Sequence, residues 1–418
     1  MSSLSQILEA RGYVHQYSSE SLSEIVDGAK RTLYLGLDPT ADSIHVGQLS
    51  IYLLLRHLAD DGHKIILLIG GGTGLIGDPK LDAERPLADE GEVAKRAEKI
   101  IAQARVLLGG ISVEIVNNHD WLKDISLLPF LRDIGKHFSV NDMLRKDSVR
   151  GRIEGDGKTI SYTEFSYQVL QAYDFLNLHK EKGVDLQIGG SDQWGNIAAG
   201  IELIRKKTGD VVYGFTAPLL VDAKTGRKFG KSEGGAVWLD AEKTSPFQFY
   251  QFWFNVGDDE VEGFLKRMTL ISLSDITTIM DEHHKAPFAR GAQRALARAT
   301  TELVHGVDAA NSVEHVSNAV FGNVDLAQLT GEGRALLERE VQTHAVAIGE
   351  TLDDVLARSG LASSKREARQ FLEQGAVTIN GGKITDPSRN IMHEDFQNAG
   401  IALLKRGKQQ VRVLTQRV

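Results

Sequence analysis

The chain has 418 residues, 42% of them hydrophobic, with 48 Lys/Arg against 56 Asp/Glu for a net charge of −8. That composition fits roughly two or three ordinary globular domains and excludes a disordered chain or a uniformly basic nucleic-acid coat. Cysteine is absent, which rules out disulfides, thiolate zinc sites, iron–sulfur clusters and cysteine nucleophiles. Glu9 and Arg11 stand where a secretion signal needs an apolar core. The longest apolar stretch, Ile65–Ile69, falls far short of the ~20 residues of a membrane helix, so a cytoplasmic protein with no membrane partner is expected.

Residues 33–37 read as a buried strand, broken by Asp38, Pro39 and Thr40. A helix is predicted from about 46 to 60, apolar at Leu49, Tyr52, Leu53 and Leu55 and closed by Asp61-Gly62. A second buried strand (64–69), a Gly-rich loop (70–78), a charged helix (90–108) and a third strand (112–117) follow. This alternation predicts a parallel sheet with helices on its faces, binding ligands at the carboxyl ends of its strands. Residues 120–180 read as mostly helical, with a helical insertion near 120–160. Core strands are expected at 185–193 and 217–221. Ser245-Pro246-Phe247-Gln248 reads as an N-cap, a first-turn proline and a capping-box glutamine opening an aromatic helix, and helices dominate to about 320. The weakly patterned stretch 321–350 reads as a connection. From 351 two short helices, the segment 376–381 with a turn, and a basic C-terminal strand at 411–414 suggest a small separate domain. The expected domains are 1–225, 226–325, a linker over 326–350, and 351–418. The last carries 11 Lys/Arg against 7 Asp/Glu, a net +4, which leaves −12 for the rest.

Four motifs carry chemistry. The first runs from Tyr34 through Asp38-Pro39-Thr40 to His45-Val46-Gly47-Gln48, across a strand end, a loop and a helix start. Backbone N–H groups there favour anions, and Gly47 lets a flat base approach closely. The second, Gly70 to Pro79, contains Gly72, Gly74 and Gly77 in the spacing of a dinucleotide-binding turn. A nicotinamide or flavin enzyme is a competing reading. Against it, Asp78-Pro79 interrupts the helix, and no acid ends a second strand about 20 residues on. The third, Gly226 to Gly235, holds Lys228 and Lys231-Ser232 on a Gly-flanked loop and misses the P-loop spacing by one residue. It suits a clamp on phosphates or, more simply, a solvated basic turn. The fourth places Tyr167, Gln171 and Asp174 on one helical face, backed by Phe165, Val169, Leu170 and Phe175, as a polar pocket wall.

Together these motifs resemble the class I aminoacyl-tRNA synthetases and, within them, the bacterial tyrosyl-tRNA synthetases. His45-Val46-Gly47-Gln48 is similar to the "HIGH" motif, and Lys228-Phe229-Gly230-Lys231-Ser232 to the "KMSKS" loop. Gly72 to Pro79, Thr163 to Tyr167 and Gln187 to Asn196 match the tyrosyl enzymes closely, and 351–418 resembles their S4-type RNA-binding domain. The resemblance implies an α/β fold: a doubly wound, Rossmann-like catalytic core, then an α-helical anticodon-recognition domain and a small α+β S4-like domain. It implies a tyrosine–tRNA ligase that consumes ATP with Mg²⁺, charges tRNA(Tyr) with L-tyrosine, and works as a homodimer. No carboxylate cage for a metal is apparent.

By the same resemblance, Tyr34 and Asp174 bind the substrate phenol, and Gln187 is a further tyrosine-binding residue. Asp78, Tyr167 and Gln171 bind its α-ammonium. Thr40, His45, Lys228 and Lys231 stabilise the phosphates. Asp38, Gly47, Gln48, Asp192, Gln193, Lys231 and Ser232 line the ATP cleft. Lys365, Arg366, Arg369, Lys405, Arg406 and Lys408 are candidates for tRNA contact. Gln48 replaces the final histidine of the motif, and Phe229-Gly230 replaces Met-Ser in the loop. A tryptophanyl-tRNA synthetase shares the core but normally lacks the tail and the Tyr34/Asp174 pair. An RNA-binding protein on an inactive synthetase core is a reading from another class.

Overall fold

A computed structural model describes residues 2–79, 89–154, 159–220, 231–232, 235–321, 329, 331–396, 400–407 and 410–417, with backbone alone at 147–148, 231–232 and 235. Lys228, Lys408 and the side chains of Lys231 and Ser232 thus lie outside the described residues. Two units emerge, Met1–Thr244 with Gly257–Ala292, and Ser245–Val256 with Gln293–Val418. Among the described residues no helix is long and apolar enough to cross a membrane.

The first unit is built on β1 (Gln16–Tyr17), β2 (Thr32–Leu37), β3 (Lys64–Ile69), β4 (Val113–Asn117), β5 (Leu186–Gly190) and β6 (Tyr213–Ala217), in the order β1-β6-β5-β2-β3-β4. All neighbours are parallel except β1, which lies antiparallel on the β6 edge. Helices cover both faces, so β2 and β3 bury consecutive residues rather than alternate ones. Leu33, Tyr34, Leu35 and the whole run Ile65 to Ile69 are buried. From β2 the chain proceeds outward through β3 and β4, and from β5 in the opposite direction to β6. The order therefore reverses between β2 and β5, and a crevice opens past their carboxyl ends.

Local chemistry sets the helices around that crevice. His45 caps Val46–Asp60, and Asp89 caps Glu90–Leu107 by accepting from the N–H groups of Gly91 and Glu92. Ser161 accepts from Glu164 N–H to start Tyr162–Lys182, which ends on Gly183 at φ 66°. The strand expected at 217–221 lies instead at Tyr213–Ala217. Pro218 has no N–H to give a ladder, so pairing stops before it, and Phe215 and Thr216 occupy the buried positions.

In the second unit Ser245 accepts from Gln248 N–H, Pro246 occupies the first turn, and Pro246–Phe254 buries Phe247, Phe249, Tyr250 and Trp253. Helices Val307–Phe321 and Gly331–Glu340 follow. Ser245 Oγ donates to Glu340 Oε2 at 2.6 Å. A second sheet joins β9 (Thr343–Val346), β10 (Val377–Ile379), β11 (Gly382–Ile384), β12 (Ile401–Arg406) and β13 (Gln410–Gln416) in the order β11-β10-β12-β13-β9. Its core joins Leu404 and Leu414 to Leu352, Leu356 and Leu372 from helices Leu352–Arg358 and Lys365–Glu373. The stretch read from sequence as a linker over 326–350 thus contains a helix and a strand. Half of the helix residues are charged and two more are glycines, and the strand is four residues long with a remote partner in β13, so neither leaves a clear local signature.

Candidate active site

The crevice floor is a cross-strand pair. Tyr34 on β2 is in register with Gln187 on β5. Both are buried, and neither Tyr34 Oη nor Gln187 Oε1 has a hydrogen-bond partner among the described residues. Each such group costs about 1–3 kcal/mol when left unsatisfied, so a pair of them on one floor marks a place for a polar ligand. The Tyr34 ring leans on Phe175 at 5.4 Å. Burial, with the nearby charge of Asp174, keeps its phenol protonated.

Asp174 projects from helix Tyr162–Lys182 and is fully enclosed. Its Oδ1 accepts from Trp121 Nε1 at 2.8 Å and its Oδ2 from Asn118 Nδ2 at 2.9 Å. Burial outweighs both donors and raises its carboxyl to about 7, with the charge of Asp38 adding to the rise. Asn118 also donates to Thr73 Oγ1 at 2.8 Å, and the Thr73 hydroxyl donates in turn to Asp38 Oδ1 at 2.8 Å. Asp38 Oδ2 takes the Tyr167 hydroxyl at 2.7 Å. One hydrogen-bonded chain thus runs from Asp174 to Tyr167. Burial and the neighbouring carboxylates keep the Tyr167 phenol protonated.

The Gly-rich loop serves this chain. A Cβ on Gly70 would lie 2.0 Å from Asp38 Oδ1, and one on Gly71 2.2 Å from Asn117 Oδ1. Thr73–Leu75 is a single 3₁₀ turn, and the described residues 76–79 after it do not continue it as a helix. The glycines therefore admit side chains of the site, and the dinucleotide reading fails on geometry.

A second polar group surrounds Asp78. Gln193 Nε2 donates to its Oδ2 at 2.9 Å, and Lys146 Nζ lies 2.8 Å from its Oδ1. Asn196 Nδ2 donates to Gln171 Oε1 and Gln193 Oε1, each at 3.0 Å. Gln171 and Gln193 thereby join one cluster with Asp78. Asp192 sits exposed on the short turn Ser191–Gln193.

At the helix start, His45 Nδ1 accepts from Gly47 N–H at 3.0 Å, so the imidazole proton resides on Nε2, a donor. Gln48 Oε1 accepts from His45 N–H at 3.2 Å and completes a capping box. The residue that departs from the motif thus has a structural task of its own. Val46 N–H donates to Val237 O, Leu239 N–H donates to Ile44 O, and the Trp238 ring meets His45 edge-on at 6.1 Å. The chain just past the β7–β8 hairpin (Lys231–Ser232 with Gly235–Ala236) is therefore stitched to the His45 segment. Thr40 is exposed above the cleft, its N–H on Asp38 O.

Sequence reading missed Asn118, Trp121, Lys146 and Thr73 as site residues. The available signal was Asn117-Asn118 at the carboxyl end of a parallel strand, where such sheets place their ligand groups.

In the second unit Lys365 pairs with Asp354, and Arg369 with Asp353 at 2.8 Å. Arg366 is exposed on the same helix. Arg406 lies over the Phe371 ring at 4.6 Å, which brings it to that helix. Lys405, next to it on β12, points to the opposite sheet face, and burial lowers its pKa.

Residues 27–322 match the family tRNA synthetases class I (W and Y), and residues 350–396 match the S4 domain. The chain is 44% identical over 411 residues to the tyrosine–tRNA ligase of Staphylococcus haemolyticus, covering 96% of each chain. It is 44% identical over 417 residues to that of Streptococcus pyogenes, covering 98% of each. Among solved structures, a C-terminally truncated mitochondrial tyrosyl-tRNA synthetase from Aspergillus nidulans superposes with a TM-score of 0.67 at 32% identity, over 75% of this chain and 93% of that one. A parallel sheet whose order reverses at a polar cleft, the S4 match and near full-length identity to these ligases agree: the chain belongs to the class I tyrosyl-tRNA synthetases.

Proposed function

We propose that this chain activates L-tyrosine with ATP and transfers it to the 3′-terminal adenosine of tRNA(Tyr), with the residues of the cleft in the following roles. The observation that carries the substrate assignment is a buried, unpartnered Tyr34 hydroxyl beside the enclosed Asp174 carboxyl. Asp174 accepts a hydrogen bond from the substrate's phenol O–H while Tyr34 donates to its oxygen. Phenylalanine would leave the Tyr34 hydroxyl dehydrated without a partner and would give Asp174 no third donor beside Trp121 and Asn118. Asp78, Gln171 and the Tyr167 oxygen receive the α-ammonium.

The substrate carboxylate is already a nucleophile at neutral pH. It attacks the α-phosphorus, pyrophosphate leaves, and no general base is needed. Catalysis then consists of positioning and of donors aimed at charge developing on the phosphates. The Nε2–H of His45, Thr40 and the Val46 helix start supply such donors, with Lys228, Lys231 and Ser232 as the loop that holds pyrophosphate. Asp38, Gly47, Gln48, Asp192 and Gln193 line the nucleotide side. Mg²⁺ travels with ATP and lends charge neutralisation to its phosphates. In the second step a ribose hydroxyl attacks the adenylate and AMP leaves.

Arg366, Arg369 and Arg406, with Lys365, Lys405 and Lys408, are proposed to contact tRNA phosphates, and binding through them would weaken with salt. A homodimer in the cytoplasm completes this reading, supported by the family alone. Amino-acid-dependent ATP–pyrophosphate exchange with tyrosine, phenylalanine and tryptophan tests the assignment. Tyrosine alone should support rapid exchange, and equal exchange with tryptophan would overturn it.

A further inference from the structure

Asp38, Asp78 and Asp174 all bear on the Tyr167 phenol, so the cleft holds three carboxylates at close quarters. Lys146 is a cation paired with Asp78. Its side chain is 8% exposed, and its Nζ lies 2.8 Å from Asp78 Oδ1 and 2.7 Å from Asn196 Oδ1. The stem crosses Gly195, where an added Cβ would meet Lys146 Cγ at 3.5 Å. Asn196 in turn holds Gln171. The Lys146 ammonium therefore occupies the corner that Asp78 and Gln171 are proposed to offer the α-ammonium of the substrate. Two ammonium groups sharing one carboxylate corner repel each other.

We infer that Lys146 is a counter-ion holding the ammonium seat in the empty enzyme, displaced by the amino group of the incoming substrate, and that this exchange sets the affinity for the amino acid. The inference rests on the reading of Asp78 as the ammonium seat. Exchange of one ammonium for another keeps Asp78 compensated with or without substrate. A half-buried carboxylate left alone would be far more costly than either pairing.

Tyramine and 4-ethylphenol differ only by the ammonium, and tyramine and tyrosine only by the carboxylate. Their dissociation constants are measured on the full chain and on Lys146→Met. Removing the competitor should tighten tyramine about tenfold and leave 4-ethylphenol unchanged. A second measurement needs no variant: reductive methylation of Lys146, read by peptide mass spectrometry, should rise on adding tyramine and stay constant with 4-ethylphenol. It decides the matter if Lys146→Met does not fold. Unchanged or weaker tyramine binding by the variant overturns the exchange, as does methylation indifferent to tyramine. So does a loss confined to tyrosine, because Lys146 would then hold the carboxylate. If Lys146→Met, with the competitor gone, binds tyramine no better than 4-ethylphenol, Asp78 is not an ammonium seat, and the underlying reading fails with the exchange.

Discussion

Replacing Asp174 by asparagine separates what this residue costs the fold from what it gives the reaction. Burial raises its carboxyl from 3.8 to about 7 in the folded chain. Between those values the folded state keeps a proton that the unfolded state has released, so stability falls as pH rises. The slope is about 1.4 kcal/mol per pH unit. It ends once pH passes about 7. From about pH 5 to about pH 8 the loss therefore amounts to about 3 kcal/mol. Asp174→Asn has no proton to hold or release and lacks this slope. The amide does turn one Nδ2 hydrogen toward the Asn118 or Trp121 donor, but that penalty is the same at both pH values. Relative to the parent, the variant should gain about 3 kcal/mol between about pH 5 and about pH 8 in denaturant unfolding. Its tyrosine-dependent exchange should be nearly lost, because an amide cannot accept a charge-assisted bond from the phenol. A stability gap that stays constant across that range would refute the claim that Asp174 holds its proton through burial.

Tyr34→Phe removes a buried hydroxyl that has no partner among the described residues, so the empty protein should gain about 1 kcal/mol in thermal unfolding while its preference for tyrosine over phenylalanine in exchange narrows. A loss of both would place the hydroxyl in a bond not seen here. Gly70→Ala drives a methyl group against Asp38 Oδ1. It should cost about 1–3 kcal/mol in urea unfolding and weaken tyrosine binding, and a neutral outcome would show that the loop yields freely. Gln48→Ala opens the capping box at His45 and should cost about 1 kcal/mol, whereas Gln48→Glu should retain most of that stability. Lys231→Ala should slow single-turnover adenylate formation far more than it weakens tyrosine binding; a large loss of tyrosine affinity at an unchanged rate would remove Lys231 from the phosphate loop.

The α/β core was legible because both faces of its sheet are covered. Runs such as Ile65 to Ile69 are then unbroken, and the helices between them carry their own caps and stops. Tyr167, Gln171 and Asp174 were legible as one face because helical spacing is a local property. Their partners were not. Asn118, Trp121, Thr73 and Lys146 come from separate segments, and only the reversal of strand order between β2 and β5 and the crossing of the 118–146 chain bring them to Asp174 and Asp78. The shift of β6 has a simpler origin. An apolar run on both sides of Pro218 looks continuous in sequence, but backbone pairing cannot cross a residue without an N–H.

The edge strand β9 has a single neighbour, β13, and Val346 pairs there with Gln416, so roughly seventy residues of chain separate the two partners. Only Val346 of its four residues is buried and its partner is remote in the chain, so β9 should dock late and lift readily. Once it lifts, β13 presents an open edge that carries the buried side chains of Val413 and Leu414, and β9 of another copy fits that edge in the same register. Concentrated or freeze-stressed protein should accordingly accumulate strand-exchanged species that separate slowly on dilution. Cysteines placed at the register partners Thr343 and Val413 would pin the strand within its own chain, and oxidised protein of that kind should remain free of the exchanged forms.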